Sequence, residues 1–374
     1  MAASPSVTAI DQLRIAVGVE QLWHRVPGGT GRATVETVAA LGEIDGVQLH
    51  GLAAWHPRRH RGRAAAVGPV THVPLPRPVL YESWLRLRRP PVEWFVGEVD
   101  VAWASSMVVM PTTSAPLVAT VHDLGFLDQP SHNSRRGRDF FPRAWAAVRR
   151  RADRIVCPSQ AVADDCAARG VDPERLSVVP WGVRPPLTSS ETAAELLAPR
   201  CLPERFALWV GTIEPRKNLA RLVEAVRRID GLHLVVVGPD GWNIDGTDLL
   251  APLGHRVHRL GSVDDHELSA LYRMASVFAF PSLLEGFGLP VLEAMMHGTP
   301  VVTSTGTATA EVADGAARLI DPLDAPALSR AIEAVWGEPE RTSALVAAGR
   351  RRANELSWAR TAAGYHTVFR EVAR

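Results

Sequence analysis

Two carboxylates, Glu285 and Glu293, stand eight residues apart within the run PSLLEGFGLPVLEAMMHGTPVVT at Pro281–Thr303. Glu285, Gly286, Phe287 and Gly288 read as a small-residue turn, and Pro290 suits the first helical position, where its missing N–H is no loss. Val291, Leu292, Ala294, Met295 and Met296 carry a helix that Gly298 and Pro300 close. A loop entering a helix N-terminus gathers unpaired N–H groups and the positive end of the dipole, which favour an anion such as phosphate. A carboxylate beside that place repels phosphate but accepts hydrogen bonds from hydroxyls, which sugars and ribose supply. By itself the pattern equally fits a capped helix with one exposed and one N-terminal glutamate. Arg216 and Lys217 are adjacent cations on the polar loop Thr212–Asn218, an arrangement suited to a diphosphate. Fixed donors there would neutralise leaving-group charge. A diphosphate held in this way needs no divalent metal, and the chain has no Asp-x-Asp pair.

The elements that position these residues are strands and helices in alternation. Leu13–Val19 reads as a first strand, followed by the glycine-rich loop Gly28–Gly31 and a helix over Arg32–Leu41. This is the layout of a nucleotide-binding unit without a GxGxxG fingerprint; the alternative is a tight turn that needs its glycines. Leu117–Val121 is a buried parallel strand ending at His122 and Asp123. Ligands in open α/β sheets bind beyond the carboxyl ends of strands, so His122 is placed for a site, although a histidine there also serves structural ends. Pro69–Pro78 reads as irregular, Tyr81–Arg89 as a short basic helix able to touch a membrane interface, and Ser159 as a helix cap. Pro185, Pro186, Thr188–Ser190 and Pro199–Pro203 mark a linker, after which FALWVG at Phe206–Gly211 opens a second α/β unit. Two such halves predict facing domains with a cleft between them.

The 374 residues suffice for two domains, and the composition is that of a globular protein. No apolar run reaches the length of a membrane span, and the N-terminus lacks a signal-peptide pattern. Cys157, Cys166 and Cys201 have no metal-ligand spacing and read as reduced, which predicts a cytoplasmic protein. Lys217 is the sole lysine beside 40 arginines. Residues 1–184 hold 22 arginines against 17 acids, whereas residues 185–374 hold 19 basic against 23 acidic residues. The first half therefore suits an anionic partner or simply carries solvated arginines.

At these residues the chain resembles the retaining glycosyltransferases of family 4, with the GT-B fold. The likeness rests on PGGTGR at Pro27–Arg32, VHD at Val121–Asp123, VGTIEPRKN at Val210–Asn218 and FPSLLEGFGLPVLEAM at Phe280–Met295. It implies an α/β protein of two Rossmann-like domains facing across a cleft. An acceptor-binding domain would span residues 1–184, a nucleotide-sugar domain 185–357, and a terminal helix, 358–374, would return to the first domain. It further implies that Glu293 holds the ribose, Glu285 the transferred sugar, and the backbone of Phe287, Gly288 and Leu289 the sugar and phosphate. Lys217 with Arg216 would bind the diphosphate and Val263 the base. Gly29, Thr30 and Gly31 would approach the diphosphate and acceptor, and His122 the donor sugar. Thr212 stands where many members carry an arginine, which leaves that charge to Arg216.

The resulting expectation is a metal-independent, retaining hexosyltransferase without a cofactor. It would use a nucleotide sugar, GDP-mannose favoured, and a saccharide, lipid-linked or small-molecule acceptor. It would be cytoplasmic, with peripheral membrane contact through its arginine-rich first domain and no nucleic-acid partner. The alternatives are another GT-B enzyme, such as a sugar-nucleotide epimerase, and a silent sugar-nucleotide binder supporting a transferase. Intact His122, Lys217, Glu285 and Glu293 speak against the silent binder. A phosphorylase would need a pyridoxal lysine, and Lys217 has another role.

Overall fold

The computed structural model describes residues 12–23, 28–56, 68–129, 135–241, 246–337 and 339–373. Pro27 and the basic stretch Arg58–Arg63 lie outside them. The first sheet contains β1 (Leu13–Gly18), β2 (Val47–Ala53), β3 (Val70–His72), β4 (Val101–Ala104), β5 (Leu117–Thr120), β6 (Arg154–Cys157) and β7 (Leu176–Val178). The second contains β8 (Phe206–Val210), β9 (His233–Val237), β10 (Val257–Gly261), β11 (Val277–Phe280), β12 (Val301–Ser304) and β13 (Arg318–Ile320). All paired strands are parallel, in the orders β3-β2-β1-β4-β5-β6-β7 and β10-β9-β8-β11-β12-β13. Both sheets thus reverse direction beside their first strand, between β1 and β4 and between β8 and β11. That is the place where an open parallel sheet splays and leaves a crevice at its carboxyl edge.

The strands form where continuous apolar runs can be buried on both faces. β4, β5, β11 and β12 are buried throughout, as helices covering a parallel sheet require. Ile15 and Trp103 of the first sheet pack with Tyr365 and Phe369 of the final helix, Trp358–Val372. The Tyr365 hydroxyl lies 3.0 Å from Thr120 Oγ1, and the Trp103 and Tyr365 rings are 4.8 Å apart. The second core centres on Trp209, Phe278 and Phe280. The chain crosses between the two cores twice, and the crossings meet at Gly182. A Cβ there would stand 2.1 Å from the Trp358 nitrogen, so only glycine admits this contact.

Four segments differ from the sequence expectation. Pro69–Pro78 contains β3, whose Val70, Thr71 and His72 pair with Gly51–Ala53; prolines on both sides hide so short a strand. The expected linker contains the helix Ser190–Leu197, capped by Ser189 and held by buried Ala193 and Leu197. The basic helix at Tyr81–Arg89 is a shorter helix, Arg77–Glu82, running into a π turn over Ser83–Leu87. Gly28–Gly31 is the first turn of the helix Gly28–Gly42 rather than a loop before it. Burial of Ala33, Thr34, Val38 and Leu41 supplies the helical driving force that the glycines lack.

Candidate active site

Four candidates follow the carboxyl ends of strands. β8 continues through Gly211 and Thr212 to Arg216 and Lys217; β11 continues through Pro281 to Glu285; β5 ends before His122. The two loops of the second domain are tied together. Leu283 N donates to Arg216 O at 2.8 Å, and Arg216 donates to Leu284 O at 3.1 Å. Asn218, left-handed at φ 56°, donates to the carbonyls of Pro281 and Pro322 at 2.9 and 2.7 Å. Lys217 and Glu285 are consequently held side by side.

Their charges meet directly. Lys217 Nζ is 2.7 Å from Glu285 Oε1, and Arg216 is 3.3 Å from Glu285 Oε2 and 2.8 Å from Glu214. Lys217 also lies over the Phe280 ring, 4.7 Å from its centroid. Burial alone would raise the Glu285 carboxyl, but Lys217 and Arg216 together hold it below its ordinary value. Burial pushes the Lys217 ammonium down, and Glu285 offsets only part of that. Arg216 is raised, because Glu285, Glu214 and Asp123 outweigh its burial. The expectation gave Glu285 to a sugar and Lys217 to a phosphate; in this structure the two are paired with each other.

Glu293 forms a separate site. It lies within the helix Leu289–His297, which starts at Gly288 in the left-handed region at φ 99°. Its Oε1 takes Arg32 at 2.6 Å, and its Oε2 takes the Tyr272 hydroxyl at 2.9 Å. Arg32 belongs to the glycine-led helix of the first domain and also meets Asp265 of the second at 2.5 Å. Burial still raises the Glu293 carboxyl despite Arg32 and Tyr272. The cation opposite Glu293 is thus a residue of the GGTGR motif to which the sequence reading gave no task. Its partner stands 261 residues away, beyond the reach of any local pattern; an arginine closing a glycine turn was the available signal.

His122 completes the first domain's contribution. Its Nε2 is 2.9 Å from Ser105 O. A carbonyl only accepts, so Nε2 carries the proton and Nδ1 is the bare acceptor. Nδ1 is buried and has no hydrogen-bond partner among the described residues. Burial lowers the ring's pKa, although the Ser105 carbonyl opposes this, so the ring is neutral near pH 7. The His122 ring lies 5.4 Å from Trp181, and Trp181 lies 5.3 Å from Phe287. The His122 backbone presses on the Glu285 turn, where a Cβ on Gly286 would stand 1.7 Å from His122 O. Ser159 Oγ donates to Gly286 O at 2.8 Å, besides accepting from Val162 N as a helix cap.

The remaining candidates lie on or near the elements that carry these groups. Phe287 and Leu289 are buried beneath the turn. Gly29, Thr30 and Gly31 form the turn just ahead of Arg32. Thr212 begins the loop that carries Arg216, and half-buried Val263 packs on the second core between β10 and the helix Asp265–Met274. The arrangement joins a cationic pair, a helix N-terminus and a bare imidazole nitrogen to two buried carboxylates. It can hold a polyhydroxylated molecule that carries a diphosphate.

Residues 27–185 match the model of glycosyltransferase family 4, and residues 201–352 match that of glycosyl transferases group 1. Together with the relatives below, these matches show that the chain belongs to the family 4 glycosyltransferases of GT-B fold. It is 34% identical over 283 residues to an MMP alpha-(1->4)-mannosyltransferase of Mycolicibacterium hassiacum, covering 69% of this chain and 67% of that one. It is 37% identical over 161 residues to the O-antigen chain mannosyltransferase B of Escherichia coli, covering 41% and 42%. A D-inositol 3-phosphate glycosyltransferase of Salinispora tropica is 34% identical over 59% of this chain and 51% of its own. The chain thus spans between two fifths and two thirds of the length of these relatives. Among solved structures, a sucrose-phosphate synthase of Thermosynechococcus elongatus superposes with a TM-score of 0.76 at 22% identity, covering 96% of this chain and 99% of that one. Anabaena Alr3699/HepE in complex with UDP-glucose superposes with a TM-score of 0.77 at 17% identity, covering 96% and 100%.

Proposed function

We propose that the chain is a retaining glycosyltransferase that moves a hexosyl group, mannosyl favoured, from a nucleotide diphosphate sugar to a hydroxylated acceptor. The observation that carries this reading is the convergence of Lys217, Arg216 and Glu285 with His122 where the two sheets' carboxyl edges face each other. The mannosyltransferase names of two relatives support the choice of sugar.

In this reading the incoming diphosphate takes over Lys217 and Arg216, helped by the N–H groups ahead of Leu289. Glu285 is then free to accept from hydroxyls of the sugar, and His122 Nδ1 accepts one more. Glu293 holds the ribose. The anomeric carbon–oxygen bond to the diphosphate breaks as the acceptor oxygen bonds to the same face, and the acceptor proton passes to the departing diphosphate. Fixed cations stabilise the charge that develops on the leaving group, so the step runs without a metal ion or a cofactor. The acceptor enters from the first domain.

The test is hydrolysis of GDP-mannose, UDP-glucose and other donors without acceptor, in the presence of EDTA. GDP-mannose is expected to be consumed fastest, and Lys217→Ala is expected to lower turnover by about 10²–10³-fold, the usual loss for one such donor. Consumption of no donor, or rates unchanged by Lys217→Ala, would contradict the reading. Loss of activity in EDTA that Mn²⁺ restores would contradict its metal-free part.

A further inference from the structure

The π turn Ser83–Leu87 and the residues after it form a corner on the outside of the first domain. Ser83 Oγ donates to Arg89 O at 2.5 Å and Trp84 Nε1 to Pro90 O at 3.1 Å, so the chain folds back on itself and turns Leu87, Arg88 and Arg89 outward. Leu87 is 70% exposed and Trp94 63% exposed. The Arg89 guanidinium stands 5.8 Å from the Trp94 ring. Arg88 is left-handed at φ 54°, a place that suits glycine, so a long cationic side chain is kept there against backbone preference.

Arg151 spends its guanidinium on the carbonyls of Trp84 and Leu85, at 2.8 and 2.6 Å. Arg88 and Arg150 lie close enough to depress its proton affinity further, after the larger effect of burial. Among the described residues, no ion pair neutralises Arg88, Arg89 or Arg150, whereas the nearby Glu82 is already taken by Arg86 and Arg143. Cations around exposed leucine and tryptophan match an anionic bilayer surface. The guanidiniums meet lipid phosphates and the apolar side chains enter the headgroup boundary. A nucleic acid would answer the charge but leave Leu87 in water.

We infer that the corner formed by Leu87, Arg88, Arg89, Trp94 and Arg150 is a docking surface for an anionic lipid membrane. The inner side of the same helical run carries Leu80, Tyr81 and Trp84, which line a cleft with Gln21 and Ser105. Ser105 is the residue whose carbonyl holds His122. The docking surface stands on the corner alone; only the further step, that the acceptor is lipid-linked, rests on the transfer reading.

The experiment is co-sedimentation of the full chain with vesicles of phosphatidylcholine alone and of phosphatidylcholine mixed with anionic phosphatidylglycerol. The expected result is binding at least about tenfold stronger to the anionic vesicles, weakened by salt. It should be lost in Leu87→Ser/Trp94→Ser and separately in Arg88→Ala/Arg89→Ala. These residues lie outside the cleft, so donor hydrolysis in solution should be unchanged, and unchanged circular dichroism controls for folding. Equal binding to both vesicles, no binding to either, or full binding by both folded double variants would overturn the inference. So would binding to a single-stranded oligonucleotide as tight as to the anionic vesicles. Vesicle binding without donor hydrolysis would leave the docking surface standing and contradict the transfer reading alone.

Discussion

At the scale of single residues, the cleft depends on places where no side chain fits. Gly286 has His122 O in the position its Cβ would take, so the Glu285 turn and the His122 turn interlock only with glycine between them. Gly286→Ala is therefore expected to lower turnover by at least about a hundredfold, the cost attached to ~1 Å displacement of a catalytic group. Nucleotide binding to the second domain should survive, and isothermal titration beside steady-state rates would separate the two effects. Equal turnover would show that the two turns part during catalysis. The acids and cations themselves were legible as residue types at a fixed spacing. Their pairing was not, because Lys217 and Glu285 are 68 residues apart and meet only when β8 and β11 become neighbours.

At the scale of elements, the helix Gly28–Gly42 reaches from the first domain into the second. Arg32 leaves its first turn and ends between Glu293 and Asp265, while Arg184 of the crossing segment holds Glu36 of the same helix at 2.5 Å. Arg32→Ala and Glu293→Ala should therefore not be additive. A double-mutant cycle in urea unfolding is expected to give a coupling of about 0.5–3 kcal/mol. A coupling near zero would mean that solvent screens the pair and the clasp is idle. Long apolar runs made most strands readable. β3 and the helix Ser190–Leu197 escaped because prolines surround them and tertiary contacts supply their stability: β3 lies on β2, and Arg200 just past the helix pairs with Glu267 at 2.5 Å.

At the scale of the whole molecule, packing around histidine sets an acid limit. Burial lowers the pKa of His50, His122, His233, His258, His297 and His366 from the ordinary 6.5. Each binds its proton more readily unfolded than folded, so stability is full above the unfolded value and is lost as pH falls below it. The melting temperature should thus be level from pH 8 to 7 and decline from roughly pH 6.5 downward, where the unfolded chain begins to take up protons. A melting temperature that rises between pH 7 and 5.5 would contradict this. The two-domain architecture was readable from two rounds of strand and helix separated by a proline-rich stretch. The individual contacts that join the domains were not, such as Gln160 N to Glu311 Oε1 at 2.8 Å, 151 residues apart.

The proposed transfer places the new bond on the same face of the anomeric carbon as the old one. Proton NMR of the sugar first released from GDP-α-mannose by the full chain, recorded before mutarotation, tests this directly. α-Mannose is expected as the initial product. Initial β-mannose would contradict it, because an inverted centre requires attack from the opposite face.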